Sequence, residues 1–309
     1  MPESLLNEFV RLGGETGVFE DTETAHLAID GNRVLSGREV EGLRVSAVQR
    51  DDGVDLDVEL ASGRALEKPV HMCFGVMKDE GVQRLRIRVK LGEGSSAEFI
   101  AHCMFPSARK VLHEMDAEVR LERGSRMIYN EAHFHGPHGG VEVKARAKVI
   151  AGPDARYRAD FSLLSGLVGK LGLDYSVSAE SRSVIELTAR VFGHRQDEII
   201  INESVVLAGE GARSIIKTRV ALEGDARAEV RGMTEGRAPH SRGHVDCTEI
   251  VKDNAIAKAV PLVSVTNPLA KVTHEAAIGS VDKAQMETLC ARGLSPQEAV
   301  DVIVKGLLG

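Results

Sequence analysis

Any soft-metal or sulfur chemistry in this chain must draw on four cysteines: Cys73, Cys103, Cys247 and Cys290. They are widely spaced and form no C-x-x-C pair, which excludes a zinc ribbon or finger and leaves any cysteine site to be assembled from distant segments. Cys247 lies in the alternating run Gly243-His244-Val245-Asp246-Cys247-Thr248-Glu249-Ile250, and Lys271-Val272-Thr273-His274-Glu275-Ala276 follows further along the chain. Thiolate, imidazole and carboxylate together suit iron or zinc better than magnesium or calcium. A free thiol with a pKa of about 8.5 binds a metal only after losing its proton. The competing reading is a buried apolar cysteine and a surface His-Glu pair, and the local sequence leaves both open. The same alternatives hold for Cys103, whereas Cys73 and Cys290, in apolar surroundings, read as packing residues.

The strongest local metal-like cluster is Glu131 followed by His133-Phe134-His135-Gly136-Pro137-His138. Residues i and i+2 of a strand share a face, so His133 and His135 could ligate one ion, as in a cupin-like metalloprotein. No second motif closes such a site, and a structural or turn role is the favoured reading. No nucleophile elbow, phosphate loop or dinucleotide fingerprint is present, so the chain itself is not expected to be an enzyme.

Chemistry placed on distant segments needs elements to bring them together. The run Leu43 to Val48, then Val54 to Leu60, alternates apolar and polar residues with the period of a half-buried strand. This texture continues for some two hundred residues, with turn signals at Gly94-Ser95-Ser96, Gly124-Ser125, Gly152-Pro153-Asp154, Glu180-Ser181 and Gly211-Ala212, about 28 to 30 residues apart. Weaker punctuation falls halfway between. A fixed period of this length signals a solenoid, and nearly all-strand texture makes it a β-helix in which stacked rungs share one narrow core. The absence of Trp, with eight Phe and three Tyr, fits a core of small repeated side chains. A β-sandwich or jelly roll is the competing fold. A rung of about 28 residues would bring Cys247 beside His274-Glu275, within reach of one ion.

The ends differ from the middle. Leu5, Leu6, Phe9 and Leu12 predict a helix from Ser4 to Leu12. Asp282 to Arg292 predicts another with Met286, Leu289 and Cys290 on one face. Ser295-Pro296-Gln297-Glu298 is a capping box with Pro at the first helical position. It opens a helix expected to bury Ala299, Val300, Ile303, Val304 and Leu307. The expected organisation is an N-terminal segment over residues 1–69, a β-helix core over 70–280 and a helical region over 281–309. A net charge of −7 argues against nucleic acid or an anionic membrane as partner. No apolar run is long enough to span a bilayer and no leader is recognisable, so a cytoplasmic chain with reduced cysteines is expected.

The segments "DCTEIV", "VPLVSVTNPLAKVTHEAAIGSV" and "QMETLCARGLSPQEAVDVIVKGLL" resemble the C-terminal end of the SufB/SufD family, the scaffold subunits of the SUF iron–sulfur assembly system. "PVHMCFGV" and "SSAEFIAHCMFP" resemble SufB-type segments upstream, so the likeness covers roughly Val70 to Gly309. It implies a mainly β fold with a right-handed parallel β-helix core, and C-terminal helices that dock a SufC-like ABC-type ATPase. A transient iron–sulfur cluster would be the cargo. Cys247 falls on the SufB cysteine needed for cluster assembly, Glu275 on a SufB glutamate thought to help hold the cluster, and His274 on a histidine that SufD supplies across the subunit interface. One chain with both implies a homodimer, within a 2:2 complex with the ATPase. Cys103 falls on the SufB cysteine proposed to accept sulfur and pass it along the helix interior. His133 and His135 lie outside the family pattern. A compact, ancestral-type chain without the additional bacterial N-terminal domain is expected, and a metal-free adaptor for the ATPase is a further alternative.

Overall fold

The computed structural model describes residues 8–10 and 17–309. Residues 8–10 are helical, and the remainder of the helix expected from Ser4 to Leu12 lies outside the described residues. Among the described residues a short helix, α1 (Gly17–Glu20), precedes nineteen strands. The first nine are β1 (His26–Asp30), β2 (Arg33–Arg38), β3 (Leu43–Arg50), β4 (Gly53–Leu60), β5 (Val70–Gly75), β6 (Glu80–Leu91), β7 (Ser96–Phe105), β8 (Lys110–Leu121) and β9 (Arg126–His135). Then come β10 (Val141–Ala151), β11 (Arg156–Leu163), β12 (Gly169–Ala179), β13 (Val184–Gly193), β14 (Glu198–Leu207), β15 (Arg213–Leu222), β16 (Arg227–Gly236), β17 (Arg242–Val251), β18 (Ile256–Val265) and β19 (Lys271–Gly279). Two helices close the chain, α2 (Lys283–Ala291) and α3 (Pro296–Leu308).

The strands form two sheets. One runs β19-β17-β15-β13-β11-β9-β7-β5-β1-β2 and the other β18-β16-β14-β12-β10-β8-β6-β4-β3. From β5 onward successive strands alternate between the sheets, and each pairs in parallel with the strand one turn away: Leu163 with Val191, Cys247 with Ala276, Cys103 with His133. The chain is therefore a mainly β, parallel β-solenoid with a rung of 28 to 30 residues. Two stacked sheets whose strands pair in parallel from β5 onward exclude the sandwich and the cupin-type barrel, which are antiparallel throughout.

Alternation explains the core. In β11 the inward residues Tyr157, Ala159, Phe161 and Leu163 are buried, while Arg156 and Arg158 are exposed. The outward faces and turns carry ion pairs between rungs, such as Arg88 with Asp57 at 2.6 Å and Arg182 with Asp154 at 2.7 Å. Exposed pairs of this kind contribute up to about 1 kcal/mol each, so packing of the shared interior dominates. The turn signals are built in repetition. Ser95, Ser125, Ser183 and Ser241 are fully buried, and each hydroxyl donates to the carbonyl three residues earlier at 2.6–2.8 Å.

The two ends are unlike. β1 with β2 and β3 with β4 are antiparallel pairs that finish both sheets on the N-terminal side. These four strands precede Val70 and are hydrogen-bonded into the sheets through β1 with β5 and β4 with β6. At the other end β18 and β19 are edge strands, exposed on both faces for most of their length. Helix α2 has Asp282 as N-cap, its carboxylate accepting from the Gln285 backbone N–H at 2.7 Å, and buries no side chain fully. Met286, Leu289 and Cys290 are half-buried, and α2 packs against α3. Helix α3 has the expected Ser295/Glu298 capping box. It rests on the outer face of the first sheet, with Val304 and Leu308 buried against Ala221 and Phe192. Leu308 takes the place expected for Ile303 and Leu307, which are half-buried, because the helix meets a sheet on one narrow stripe. Cys73 is buried in a small cluster outside the main core, against Phe9, Ala28 and Met104, in keeping with a packing role.

Close stacking leaves no room at some turns. Gly166 has φ +85°, and a methyl group there would sit 1.9 Å from the His135 carbonyl oxygen. Gly166→Ala should cost about 3 kcal/mol from backbone strain and overpacking, read as a lowered midpoint in urea unfolding. An unchanged midpoint would show that the rung spacing is more yielding than the structure implies.

Candidate functional site

The strand register decides which chemistry-bearing residues meet. In β17 the inward positions are Val245, Cys247 and Glu249, all buried. The neighbouring β19 sets His274 beside Val245, Glu275 beside Asp246 and Ala276 beside Cys247. Paired residues of adjacent strands share a face, so His274 lies on the inner face with Cys247, one diagonal step away. Glu275 lies on the opposite face with Asp246. One chain thus brings two of the three predicted ligands to one face, and the expectation of all three within reach of a single ion is not met. His274 and Glu275 are consecutive in one strand and so face opposite ways whatever the rung length. The 29-residue rung decides that His274, not Glu275, shares the face of Cys247.

Cys247 is buried beneath the last turn, whereas His274 and Glu275 are exposed on it. Across the core stands Gly232, where an added methyl would meet Val245 Cγ1 at 2.6 Å and the Cys247 Sγ at 3.5 Å, so the missing side chain lets Val245 and Cys247 fill this part of the core. Burial pushes the Cys247 thiol up to about 12, with the nearby Glu249 carboxyl adding to the effect. Glu249 is itself raised to about 7 by burial, and neither of its carboxyl oxygens has a hydrogen-bond partner among the described residues. The C-x-E spacing placed Glu249 on the face of Cys247 and was readable in the sequence.

The second cluster lies near the other end of the solenoid. Cys103 in β7 is the register neighbour of His133 in β9, and His113 reaches them from β8 in the other sheet. One ligand atom of each lies within 4.8 Å of the others, and all three side chains are buried. No other such group occurs among the described residues. Glu131 Oε1 lies 2.7 Å from His133 Nε2 and 3.9 Å from the Cys103 Sγ, and His133 Nδ1 is 3.3 Å from His135 Nε2. His133 and His135 therefore point into the core from a strand and play no turn role, while His138 is exposed beyond it. Burial drives the Cys103 thiol well above its ordinary range, with the Glu131 carboxyl acting in the same direction. His113 escaped sequence reading because it meets the others across the core. The 30-residue interval between Cys103 and His133 was the available signal.

Between the two clusters runs a line of polar side chains inside the solenoid. Tyr175 Oη donates to Glu131 Oε2 at 3.5 Å, and Tyr175 is the register neighbour of Glu203. The Thr218 hydroxyl donates to Glu203 Oε2 at 2.7 Å across the core, and Thr218 is the register neighbour of Cys247. Cys103 and Cys247 stand five strands apart in one sheet, roughly 24 Å at the usual strand spacing of about 4.8 Å.

Glu203 is 2 % exposed, and burial raises it to about 7. An unfolded glutamate titrates near 4.3, so between about pH 4.5 and 7 the folded chain keeps a proton the unfolded chain has released. Stability accordingly falls as pH rises through that window and levels off above it. Glu203→Gln should flatten this profile and raise stability at pH 8 by on the order of 2–3 kcal/mol. Calorimetry from pH 5 to 8 checks it, and parallel profiles for the two proteins would refute it.

Among the described residues, no helix is long and apolar enough to cross a membrane. The family model for the SufBD core domain of SUF-system FeS cluster assembly matches residues 74–307. The iron–sulfur cluster assembly SufBD family protein of Methanocaldococcus jannaschii is 36 % identical over 278 residues, covering 90 % of this chain and 88 % of its own. One from Pyrococcus horikoshii is 33 % identical over 307 residues, covering 99 % and 93 %. The iron–sulfur cluster assembly protein SufB of Bacillus subtilis is 22 % identical over 259 residues, which is 81 % of this chain and 54 % of that protein. With a parallel solenoid, free buried cysteines and matches over most of its length, the chain belongs to the SufBD family of iron–sulfur cluster assembly proteins.

Proposed function

We propose that this chain is a cytoplasmic scaffold on which an iron–sulfur cluster is built at the open end of the solenoid, with Cys247 as the anchoring ligand. The observation that carries the reading is the contrast between the two ends. The N-terminal end is finished by antiparallel strands, whereas the last turn leaves Leu262, Val265, Leu269 and Ile278 about half exposed above the buried Cys247. An apolar edge with unpaired backbone groups favours pairing with another chain, and a second copy offers the same surface. In such a homodimer His274 and Glu275, which one chain places on opposite faces, become ligands from two subunits around one cluster. Iron binding would drive off the Cys247 proton that burial otherwise retains, and the adjacent Glu249 carboxyl is placed to accept it.

Cys103 is the proposed sulfur acceptor. Its thiolate attacks the terminal sulfur of a donor persulfide, a new S–S bond forms, and the donor cysteine leaves as thiolate. Glu131, with Oε1 3.9 Å from the Cys103 Sγ, is placed to take the Cys103 proton. The polar line through Tyr175, Glu203 and Thr218 supports delivery of sulfur toward Cys247 inside a core that excludes water. Helices α2 and α3 offer the docking surface for a SufC-like ABC-type ATPase in a 2:2 complex. Nucleotide-driven movement of the ATPase pair would then bias the dimer between open and closed cluster sites.

Anaerobic reconstitution of the full chain with iron and sulfide tests the core of this reading by visible absorption and by sedimentation. The expected result is a brown cluster in a dimer, lost in Cys247→Ala, weakened several-fold in His274→Ala and Glu275→Ala, and kept in His133→Ala. A cluster unaffected by Cys247→Ala would sink the reading. For Cys103, mass-spectrometric trapping during turnover with a persulfide donor should find added sulfur on that residue, and its absence would remove the acceptor role.

A further inference from the structure

The buried group of Cys103, His113 and His133 contains a polar atom that the protein alone does not satisfy. Gln83 is fully buried, and its amide nitrogen donates to two backbone carbonyls, Gly31 O at 2.8 Å and Gly75 O at 3.0 Å. This fixes the orientation of the amide, so that Gln83 Oε1 must accept from His113 Nδ1 at 2.9 Å. The tautomer follows: Nδ1 carries the hydrogen and Nε2 carries a lone pair. That Nε2 is buried and has no hydrogen-bond partner among the described residues. An unpaired polar atom in a core costs about 1–3 kcal/mol. A metal-binding histidine commonly donates its other ring N–H to an acceptor that orients it, and Gln83 occupies that place here. Glu131 stands in the same relation to His133 while also reaching Cys103.

We infer that Cys103, His113 and His133 form a binding site, inside the N-terminal half of the solenoid, for one divalent transition-metal ion of borderline softness, zinc or ferrous iron. One thiolate with two imidazoles is a donor set for those ions and a poor one for magnesium or calcium. Tetrahedral coordination asks for ligand atoms roughly 3.3–3.8 Å apart at the usual metal–ligand distances. Ligand atoms already within 4.8 Å of one another reach this by closing about 1 Å. Binding releases the Cys103 proton to solvent, and the dication then faces one thiolate and the Glu131 carboxylate, which leaves the buried group neutral overall. Cys103 is fully buried, so metal entry, like sulfur acceptance at this residue, takes place while the rung is open, either during folding or in a local opening. This site is separate from the cluster position at the other end and does not rest on the assembly role. It has a consequence for it: an ion on Cys103 caps the sulfur, so metal and sulfur acceptance exclude each other at that residue.

The test uses the full chain carrying Cys247→Ala, so that the terminal cysteine contributes no metal. Protein expressed with supplied zinc, or separately with supplied iron, is purified anaerobically and its metal measured by mass spectrometry. One ion per chain is expected, with the two arms deciding which metal is held. His113→Gln and Cys103→Ser on this background should lose it. Gln83→Met, which keeps all three ligands, should weaken affinity by about 10–100-fold. Should those variants not fold, cobalt(II) loaded into the Cys247→Ala chain decides by itself: tetrahedral visible bands with a near-ultraviolet thiolate charge-transfer band support the site. Alkylation of Cys103 in the denatured, metal-stripped chain but not in the folded, loaded one agrees with capping. No retained zinc or iron, full metal content in His113→Gln, or a cobalt spectrum without the thiolate band would overturn the inference.

Discussion

Each strand of the solenoid hydrogen-bonds to the strands one rung before and after it, and from that restriction most of the molecule follows. A rung cannot cover its own inner face, so it is stable only between neighbours. Parallel in-register pairing then lines up inward residues in rows along the axis. One such row in the first sheet reads Ala101, Glu131, Phe161, Ala189, Thr218, Cys247 and Ala276. A functional residue in one rung is thereby placed at a fixed distance from residues about thirty positions away, with no loop needed to bring them together.

The same restriction explains why the chemistry sits where it does. The interior is narrow enough that side chains from the two sheets touch, as Thr218 and Glu203 do, so a polar residue in one sheet can be answered only from the other sheet or an adjacent rung. Where an answer exists, buried acids and histidines are held in defined geometry. Where it is missing, as at Glu249 and at His113 Nε2, an unsatisfied group remains in the core. These two lie beside a buried cysteine.

Stacking also makes the two ends unequal. The antiparallel pairs at the N-terminal end terminate both sheets, while the C-terminal turn ends on open strands with exposed apolar side chains. Helix α3 does not cap that end. It turns back over the outer face of the first sheet, held by Val304 and Leu308 and by Arg190 donating to the Leu308 carbonyl at 3.2 Å. The open turn therefore stays available directly above Cys247.

The sequence by itself determined the solenoid, the rung length to within a residue or two, the turn positions and the capping of α3. These are local signals: period-two alternation, Gly, Ser and Asp at corners, and a capping box. It also singled out Cys103, Cys247, His274 and Glu275 by residue type and family resemblance, and His133 and His135 by their local spacing. Only the tertiary structure decided which of them meet. A rung of 29 rather than 28 residues separates Glu275 from Cys247 and leaves His274 on its face. The meeting of His113 with Cys103 and His133, and of Glu203 with Thr218, depends on contacts between sheets. Periodicity along one chain fixes which face a residue takes. It carries no information on what stands opposite across a core only one side chain deep.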